Sequence, residues 1–162
     1  MVYTETILLS IVGVKKHFMN KAEITKFLKT QKAIAESYSE AIESAAKRSG
    51  ITKQEADVLV FFFNNPDYTL ACDAVKMRGF SKAYASKAIE QLLSNGLIEI
   101  TCDGEDRRMQ RIKITGKGGI IAKSISMAQQ KYYEGLIKDL TPEERFILDN
   151  IFDKIYKTLE NN

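Results

Sequence analysis

The sequence predicts a mainly α fold of the α+β kind, in which helices surround one small β-hairpin. Three observations predict it. Apolar residues recur every three or four positions over most of the chain, as on one face of an α-helix. The spacing shortens to two between residues 97 and 115, as in paired strands. The 162 residues are 44% hydrophobic with only two prolines, which suits one globular domain over residues 1–162.

The N-terminal part of the chain predicts two helices. From Asn20 to Arg48 the apolar residues form one stripe along a long helix, and Gly50 ends it. Thr52 and Glu55 then form a capping box, the T-x-x-E pattern in which each side chain bonds to the other residue's backbone N–H. We therefore expect a second helix from this point to the Asn-Asn-Pro-Asp breaker at residues 64–67.

Two shorter helices separated by a tight turn are predicted next. Thr69 is the expected N-cap of the first helix, and Gly79 supplies the left-handed backbone of the turn. Ser81 caps the second helix, which Gly96 ends. Two helices of this length around a glycine-bearing turn are the pattern of a helix-turn-helix, whose second helix enters the major groove of DNA.

The second of these helices has two chemically different faces. Its apolar residues share one face, which we expect to pack inward: Ala85, Ala88, Ile89, Leu92 and Leu93. The polar residues are expected to point elsewhere: Lys82, Tyr84, Ser86, Lys87, Glu90 and Gln91. Hydroxyl, phenol and ammonium donors at the leading end of the helix can meet phosphates and base edges.

Two segments with alternating apolar residues predict a β-hairpin after the helix pair. The first runs from Leu97 to Cys102 and the second from Arg111 to Thr115. The loop between them, residues 103–110, is long and charged, so we expect it to project from the protein. A helix-turn-helix followed by such a hairpin is a winged helix, here predicted over residues 52–118.

Two terminal helices complete the predicted fold. The first carries an apolar stripe between Ile121 and Leu136, and the second opens with the capping box Thr141-Pro142-Glu143-Glu144. The apolar arc of the last helix is wide for the surface of a monomer: Ile147, Leu148, Ile151, Phe152, Ile155 and Leu159. We therefore predict a homodimer, with residues 1–48 and 119–162 as its helical dimerisation region.

Positive charge is concentrated in the predicted winged helix. The chain has a formal net charge of +3, whereas residues 76–117 alone contain nine basic and five acidic side chains. The excess in this segment indicates a polyanionic partner. The alternative is that these lysines and arginines simply solvate an ordinary surface.

Several function classes find little support in the sequence. Cys72, Cys102 and His17 do not have a metal-ligand spacing, so we expect no metal and no cofactor. No nucleophile stands at a spacing from a base that would suggest an enzyme. The glycines at 116, 118 and 119 lack the preceding parallel-strand unit that a dinucleotide site requires, so we interpret them as a helix start. The N-terminal segment does not have the pattern of a secretory signal, and its apolar run is too short to span a membrane. We therefore expect a cytoplasmic protein.

Three motifs together resemble the MarR family of bacterial transcriptional regulators. They are S-x-x-Y-x-S-x-A-I-x-x-L at residues 81–92, D-x-R at residues 106–108, and I-x-I-T-x-x-G at residues 112–118. The resemblance covers residues 20–159. It implies a homodimer that binds double-stranded DNA at a pseudo-palindromic operator, most often as a repressor, and that often responds to a small-molecule effector or an oxidant. Ile100 and Asp73 depart from the family, where an arginine and an apolar residue are common.

The helix-turn-helix pattern and the resemblance together select the predicted DNA-binding residues. They are Ser81, Lys82, Tyr84, Ser86 and Lys87 on the second helix, and Arg107, Arg108 and Arg111 on the hairpin. Arg108, which matches the arginine of the D-x-R motif, is expected to reach the minor groove, with Asp106 orienting it. Arg107 and Arg111 are predicted phosphate contacts, although Arg111 also suits an ordinary strand surface.

Two alternative functions stay open from the sequence. A winged helix can be a protein-interaction module without DNA binding, although the polar outward face of residues 81–87 favours DNA. The second alternative is a cysteine-based redox-sensing regulator, because Cys72 lies in the first turn of a predicted helix, where the helix dipole lowers a thiol pKa. Against this, we interpret Cys72 as a small buried apolar residue between the paired helices.

Overall fold

A computed structural model describes residues 20–102 and 110–160 of the chain. The chain divides into two compact units, Met1–Ser37 and Tyr38–Asn162. The described elements follow one another in this order: α1 (Lys21–Arg48), α2 (Lys53–Asn64), α3 (Ala71–Arg78), α4 (Lys82–Ser94), β1 (Ile98–Cys102), β2 (Gln110–Ile114), α5 (Gly116–Leu136) and α6 (Pro142–Glu160). Within the described residues the structure is mainly helical with one two-stranded antiparallel sheet, which confirms the predicted fold class.

Capping residues explain where most helices begin. Asn20 accepts hydrogen bonds from the backbone N–H groups of residues 22 and 23 at the start of α1. Thr52 and Glu55 form the predicted capping box of α2, with the Thr52 N–H donating to Glu55 Oε2 at 2.8 Å. Thr141 and Glu144 bond in the same reciprocal way before α6. These helix starts are therefore determined by neighbouring residues, and both predicted capping boxes are confirmed.

The start of α3 differs from the prediction. Leu70, and not Thr69, occupies the N-cap position. The carboxylate of Asp73 reaches back to accept from the Leu70 N–H at 2.8 Å, so it satisfies one of the unpaired donors of the first turn. Thr69 instead turns to the hairpin, where its carbonyl accepts from the Ile112 N–H at 2.7 Å. A tertiary contact has replaced the local cap.

The hairpin has the predicted alternation. Ile98 lies opposite Ile114, and Ile100 lies opposite Ile112. Ile98 and Ile112 are buried against α2, α3 and α4, in a core to which α2 contributes Val58, Leu59, Phe61 and Phe62. This core is formed by the helix-turn-helix and the hairpin together, so the base of the hairpin is held directly by the helix pair.

A second core joins the helices on the other side of α2. Its buried residues come from α1, α2 and α5: Ile42, Ala45, Ala46, Ala56, Val60 and Ile125. Because α2 contributes to both cores, it is the central element of the second unit. No described helix is both long enough and apolar enough to cross a lipid bilayer.

The last helix leaves its apolar residues uncovered. Phe146 retains 70% of its exposure and Leu159 retains 69%, and the residues between them show the same pattern: Ile147, Ile151, Phe152, Ile155 and Tyr156 are also exposed. A run of large exposed apolar side chains along one helix is unusual on a monomer. In the first unit, Ile24, Phe27 and Leu28 of α1 are exposed as well.

Candidate nucleic-acid interface

The turn between α3 and α4 has the geometry predicted from its glycine. Gly79 has a φ of +68°, in the left-handed region, and its N–H donates to the Val75 carbonyl at 3.1 Å. Ser81 follows as the N-cap of α4, with its Oγ accepting from the Tyr84 N–H at 3.1 Å. The turn therefore sets where the first residues of α4 lie relative to α3.

The leading part of α4 presents a cationic and hydroxyl face. Lys82, Ser86 and Lys87 are exposed, while Ala85 and Ala88 are buried against the helix pair. Ser81 is also exposed, although its oxygen already serves the cap. Four of the five predicted residues on this helix are thus accessible from solvent.

A groove beside this face adds a residue that the sequence did not single out. Lys76 of α3 lines a cavity of about 470 Å³ together with Lys82 and Ser86 of α4. The remaining lining residues are small or apolar: Ala71, Cys72, Val75 and Ala85. Lys76 was visible in the sequence only as one member of the basic segment, because its direction depends on how α3 crosses α4.

Tyr84 corrects the prediction that this residue faces outward. Its ring is half-buried and lies against Phe80, with 5.2 Å between the ring centres. Its hydroxyl donates to Asp57 Oδ2 at 2.9 Å. Burial, the hydrogen bond to Asp57 and the charge of that carboxylate together raise the pKa of Tyr84 well above its usual value. The phenol is directed to α2, so it is not among the outward donors.

Gln91 also departs from its predicted outward position. It is half-buried, and its Oε1 is a buried oxygen without a hydrogen-bond partner in the part of the chain that the structure describes. The prediction for Gln91 was wrong because it rested on residue type. An amide side chain is polar, yet it can either point to solvent or lie along a packed surface. Only the tertiary contacts decide between the two.

The hairpin residues divide into described and undescribed positions. Arg111 lies half-buried on β2, and its Nη1 donates to Thr69 Oγ1 at 3.0 Å. This bond fastens the hairpin to the segment before α3. Asp106, Arg107 and Arg108 fall between the two described ranges, so the predicted contacts of these residues with DNA stay predictions from the sequence.

The sequence matches no family model. It also has no significant similarity to any curated protein sequence. The fold, in contrast, is similar to solved structures. One is a MarR family transcriptional regulator from Listeria monocytogenes in complex with 26mer DNA, with a TM-score of 0.75 and 19% identity over 83% of this chain and 89% of the other.

Two further structures show the same similarity. A MarR protein from Peptoclostridium difficile has a TM-score of 0.73 and 20% identity, covering 91% of this chain and 95% of the other. A MarR transcriptional regulator from Methanosarcina mazei has a TM-score of 0.71 and 16% identity, covering 85% and 99%. The chain has the MarR-type winged-helix fold. The proteins from Listeria monocytogenes and Methanosarcina mazei are transcriptional regulators.

The two sequence departures from the MarR family have clear places in this MarR-type fold. Ile100 lies opposite Ile112 across the hairpin and is half-buried. Asp73 caps α3 through the Leu70 N–H. Both residues therefore serve the fold of the winged helix.

Cys72 corrects a further prediction. It is a free, exposed cysteine on α3, not a buried apolar residue between the paired helices. It lines the same groove as Lys76 and Lys82. Cys102 ends β1. Among residues 20–102 and 110–160, no cluster of histidine, cysteine and carboxylate side chains is arranged to hold a metal ion.

Proposed function

We propose that this protein is a sequence-specific transcriptional regulator that binds double-stranded DNA as a homodimer on a pseudo-palindromic operator, with repression as the outcome. The observation that carries the proposal is the exposed cationic face of the helix-turn-helix. It comprises Lys82, Ser86 and Lys87 of α4 and Lys76 of α3. We call these four residues the α3–α4 basic face.

The direction of α4 explains how this face would meet DNA. In a helix-turn-helix the second helix lies in the major groove, and its N-terminal residues lead. Lys82 and Ser86 lie in the first turns of α4, where ammonium and hydroxyl groups can donate to phosphate and base acceptors. The Listeria monocytogenes relative, which has the same fold, was solved in complex with DNA.

The hairpin would supply the second contact with the duplex. The bonds between Arg111 and Thr69, and between the Ile112 N–H and the Thr69 carbonyl, hold β2 against the helix-turn-helix. We propose that Arg107 and Arg108, beyond the described end of β1, contact phosphate and the adjacent minor groove. Arg111 then acts mainly as an anchor of the hairpin.

The uncovered apolar residues of α6 support the homodimer. Phe146, Ile151, Phe152 and Leu159 are exposed on this helix. Burial of such side chains contributes roughly 25 cal/mol per Å², which favours association with a second copy. A two-fold dimer presents two α4 helices to successive major grooves, and this matches a palindromic site.

Selection of bound fragments from the source genome, by the purified protein, tests the proposal directly. We expect recovery of a common inverted repeat whose half-sites are about one helical turn, or 10 base pairs, apart. Affinity for the recovered duplex should fall steeply with salt, because binding releases counterions from phosphates. A monomer that binds no duplex at low salt would overturn the proposal and favour the protein-interaction alternative.

A second candidate function, thiol-dependent control of DNA binding, is favoured by the exposure of Cys72. The thiol lines the groove that also holds Lys82 and Ser86. Alkylation with N-ethylmaleimide would place a bulky group beside the first turns of α4. If this function is correct, alkylation should abolish operator binding by the parent and leave Cys72→Ser unaffected. Equal binding before and after complete alkylation of Cys72 would exclude it.

A small-molecule effector is also part of the proposed function. In support, a Staphylococcus aureus MarR of the same fold was solved in complex with salicylate and kanamycin, with a TM-score of 0.71, 18% identity and coverage of 88% of this chain. A screen for compounds that release the recovered operator from the protein would identify one.

A further inference from the structure

We propose that three residues of α2 hold both ends of α4 and thereby set the position of the recognition helix against DNA. These residues, Gln54, Glu55 and Asp57, are called the α2 clamp. The inference rests on the proposed DNA-binding function, because it assigns a role to contacts behind the α3–α4 basic face. Its basis is a set of short hydrogen bonds between α2 and the two ends of α4.

Two bonds hold the N-terminal end of α4, and both converge on Tyr84. The Tyr84 hydroxyl donates to Asp57 Oδ2 at 2.9 Å, and Gln54 Nε2 donates to the Tyr84 carbonyl at 2.7 Å. Asp57 is only 4% exposed, and Lys53 Nζ lies 2.6 Å from the same carboxylate oxygen. The side chain and the backbone of one residue in the first turn of α4 are therefore both fastened.

One bond holds the C-terminal end of α4. Asn95, the C-cap residue, donates from Nδ2 to Glu55 Oε1 at 2.7 Å. The other oxygen of Glu55 accepts from the Thr52 N–H and Oγ1, as part of the capping box. Glu55 is 3% exposed, so each of its oxygens has a protein partner in place of water.

Helix geometry lets neighbouring residues of α2 reach opposite ends of α4. Two residues apart on a helix, the side chains of Glu55 and Asp57 diverge by about 200°. The 13 residues of α4 span about 20 Å, so one carboxylate reaches its first turn and the other its last. A rotation or a slide of α4 along α2 would break at least one of the two attachments.

Buried carboxylates are weak stabilisers, which favours a positioning role for them. The free-energy cost of removing a carboxylate from water offsets much of the favourable interaction with its partners. Apolar residues of similar size therefore often give equal or greater stability. The core beside the clamp is already apolar, with Val58, Leu59, Ala88 and Leu92 buried. Directional hydrogen bonds add what apolar contacts do not, a defined rotation and register of α4.

Position matters more for base recognition than for phosphate binding. Hydrogen bonds to base edges need donors placed within a fraction of an ångström, whereas attraction to phosphates acts over several ångströms. A loosened α4 should therefore lose affinity for the operator and keep its affinity for random duplex. This difference separates positioning of α4 from general stability of the fold.

The test compares two clamp variants with a matched control. Tyr84→Phe removes the hydroxyl that bonds to Asp57, and Asn95→Ala removes the donor to Glu55. Ser126→Ala is the control, since it removes a hydroxyl of α5 that donates to Asn64, the last residue of α2, and makes no bond to α3 or α4. We expect each clamp variant to bind the selected operator about ten-fold more weakly and random duplex within about two-fold of the parent. The control should bind both like the parent.

Amide hydrogen exchange in the free protein gives a second readout that needs no DNA. In the clamp variants, the amides of residues 82–94 should exchange faster than in the parent, and the amides of α5 should exchange at the parent's rate. Unaltered operator affinity in both clamp variants, or parallel losses on operator and random duplex, would overturn the proposal. If the parent binds no duplex, the proposed function fails, and amide exchange alone tests the α2 clamp. Faster exchange confined to α4 in the clamp variants would then support the clamp, whereas a uniform change in exchange along the chain would overturn it.

Discussion

Gly118 of α5 lies directly against the backbone carbonyl of Leu97. A Cβ on Gly118 would stand 1.9 Å from that oxygen, much closer than any real Cβ contact. The same carbonyl accepts from the Thr115 N–H and from Thr115 Oγ1, each at 3.1 Å. The start of α5 is therefore packed onto the beginning of β1, which explains why the hairpin returns into a helix at a glycine-rich segment.

Gly118→Ala should destabilise the protein because the backbone of Leu97 cannot move aside as a flexible side chain could. We expect the free energy of unfolding to fall by about 2 to 3 kcal/mol, measured by urea denaturation. Gly119→Ala is the matched control, since a Cβ there meets nothing within 4 Å. It should be neutral or stabilise α5 by less than about 1 kcal/mol. Equal effects of the two substitutions would contradict the close packing of Gly118 on Leu97.

Lys87→Ala should weaken operator binding through lost phosphate attraction. In a homodimer the substitution removes two contacts, so the slope of log affinity against log salt should flatten by about two. Arg108→Ala, chosen from the sequence, should do the same. Lys131→Ala is the control, because Lys131 is exposed on α5 about 22 Å along the helix from its start. Binding titrations at several salt concentrations measure the slopes, and parent-like slopes for both Lys87→Ala and Arg108→Ala would remove these residues from the interface.

Phe152→Glu should dissociate the proposed homodimer. The substitution places a charge within the exposed apolar residues of α6, and burial of an unpaired carboxylate between two copies is unfavourable. Sedimentation should show the parent at twice the chain mass and the variant with a dimer dissociation constant raised about 100-fold. Asn150→Glu adds a carboxylate about 200° around α6 from Phe152 and should remain dimeric. A dimeric Phe152→Glu variant would place the interface elsewhere.

Ionisation of Tyr84 should lower the free energy of unfolding at high pH. Its pKa is raised in the folded protein by burial, by its hydrogen bond to Asp57 and by the charge of Asp57. The stabilisation is therefore fully present below the unfolded tyrosine pKa of about 10 and is lost as pH rises above it. The difference in unfolding free energy between the parent and Tyr84→Phe should stay constant from about pH 6 to 9 and shrink above about pH 10. A difference that widens at high pH would contradict the raised pKa.

Local signals in the sequence were sufficient to find most of the fold. The capping boxes at Thr52 and Thr141, the cap at Ser81 and the turn at Gly79 each involve residues within four positions of one another. Their chemistry is therefore present in the sequence itself. Thr69 shows where this reasoning ends, because its side chain bonds Arg111, 42 positions away, and Leu70 takes the cap.

The candidate site was predicted only in part, for a related reason. Lys82, Ser86 and Lys87 lie on the exposed face because charge and small polar groups favour water over the core. Tyr84 is amphipathic, and its direction was decided by Phe80 and by Asp57, 27 positions away. Lys76 and Cys72 share a groove with Lys82 only because α3 crosses α4 at one particular angle.

The amino-acid order by itself determined the helices, the hairpin and the charged leading end of α4, since periodicity and capping act between near neighbours. Only the tertiary structure decided that Asp57 holds Tyr84, that Gly118 packs on Leu97 and that Cys72 is exposed. The physical reason is that these contacts depend on the angles at which whole helices cross, and each angle is set by the packing of many side chains at once.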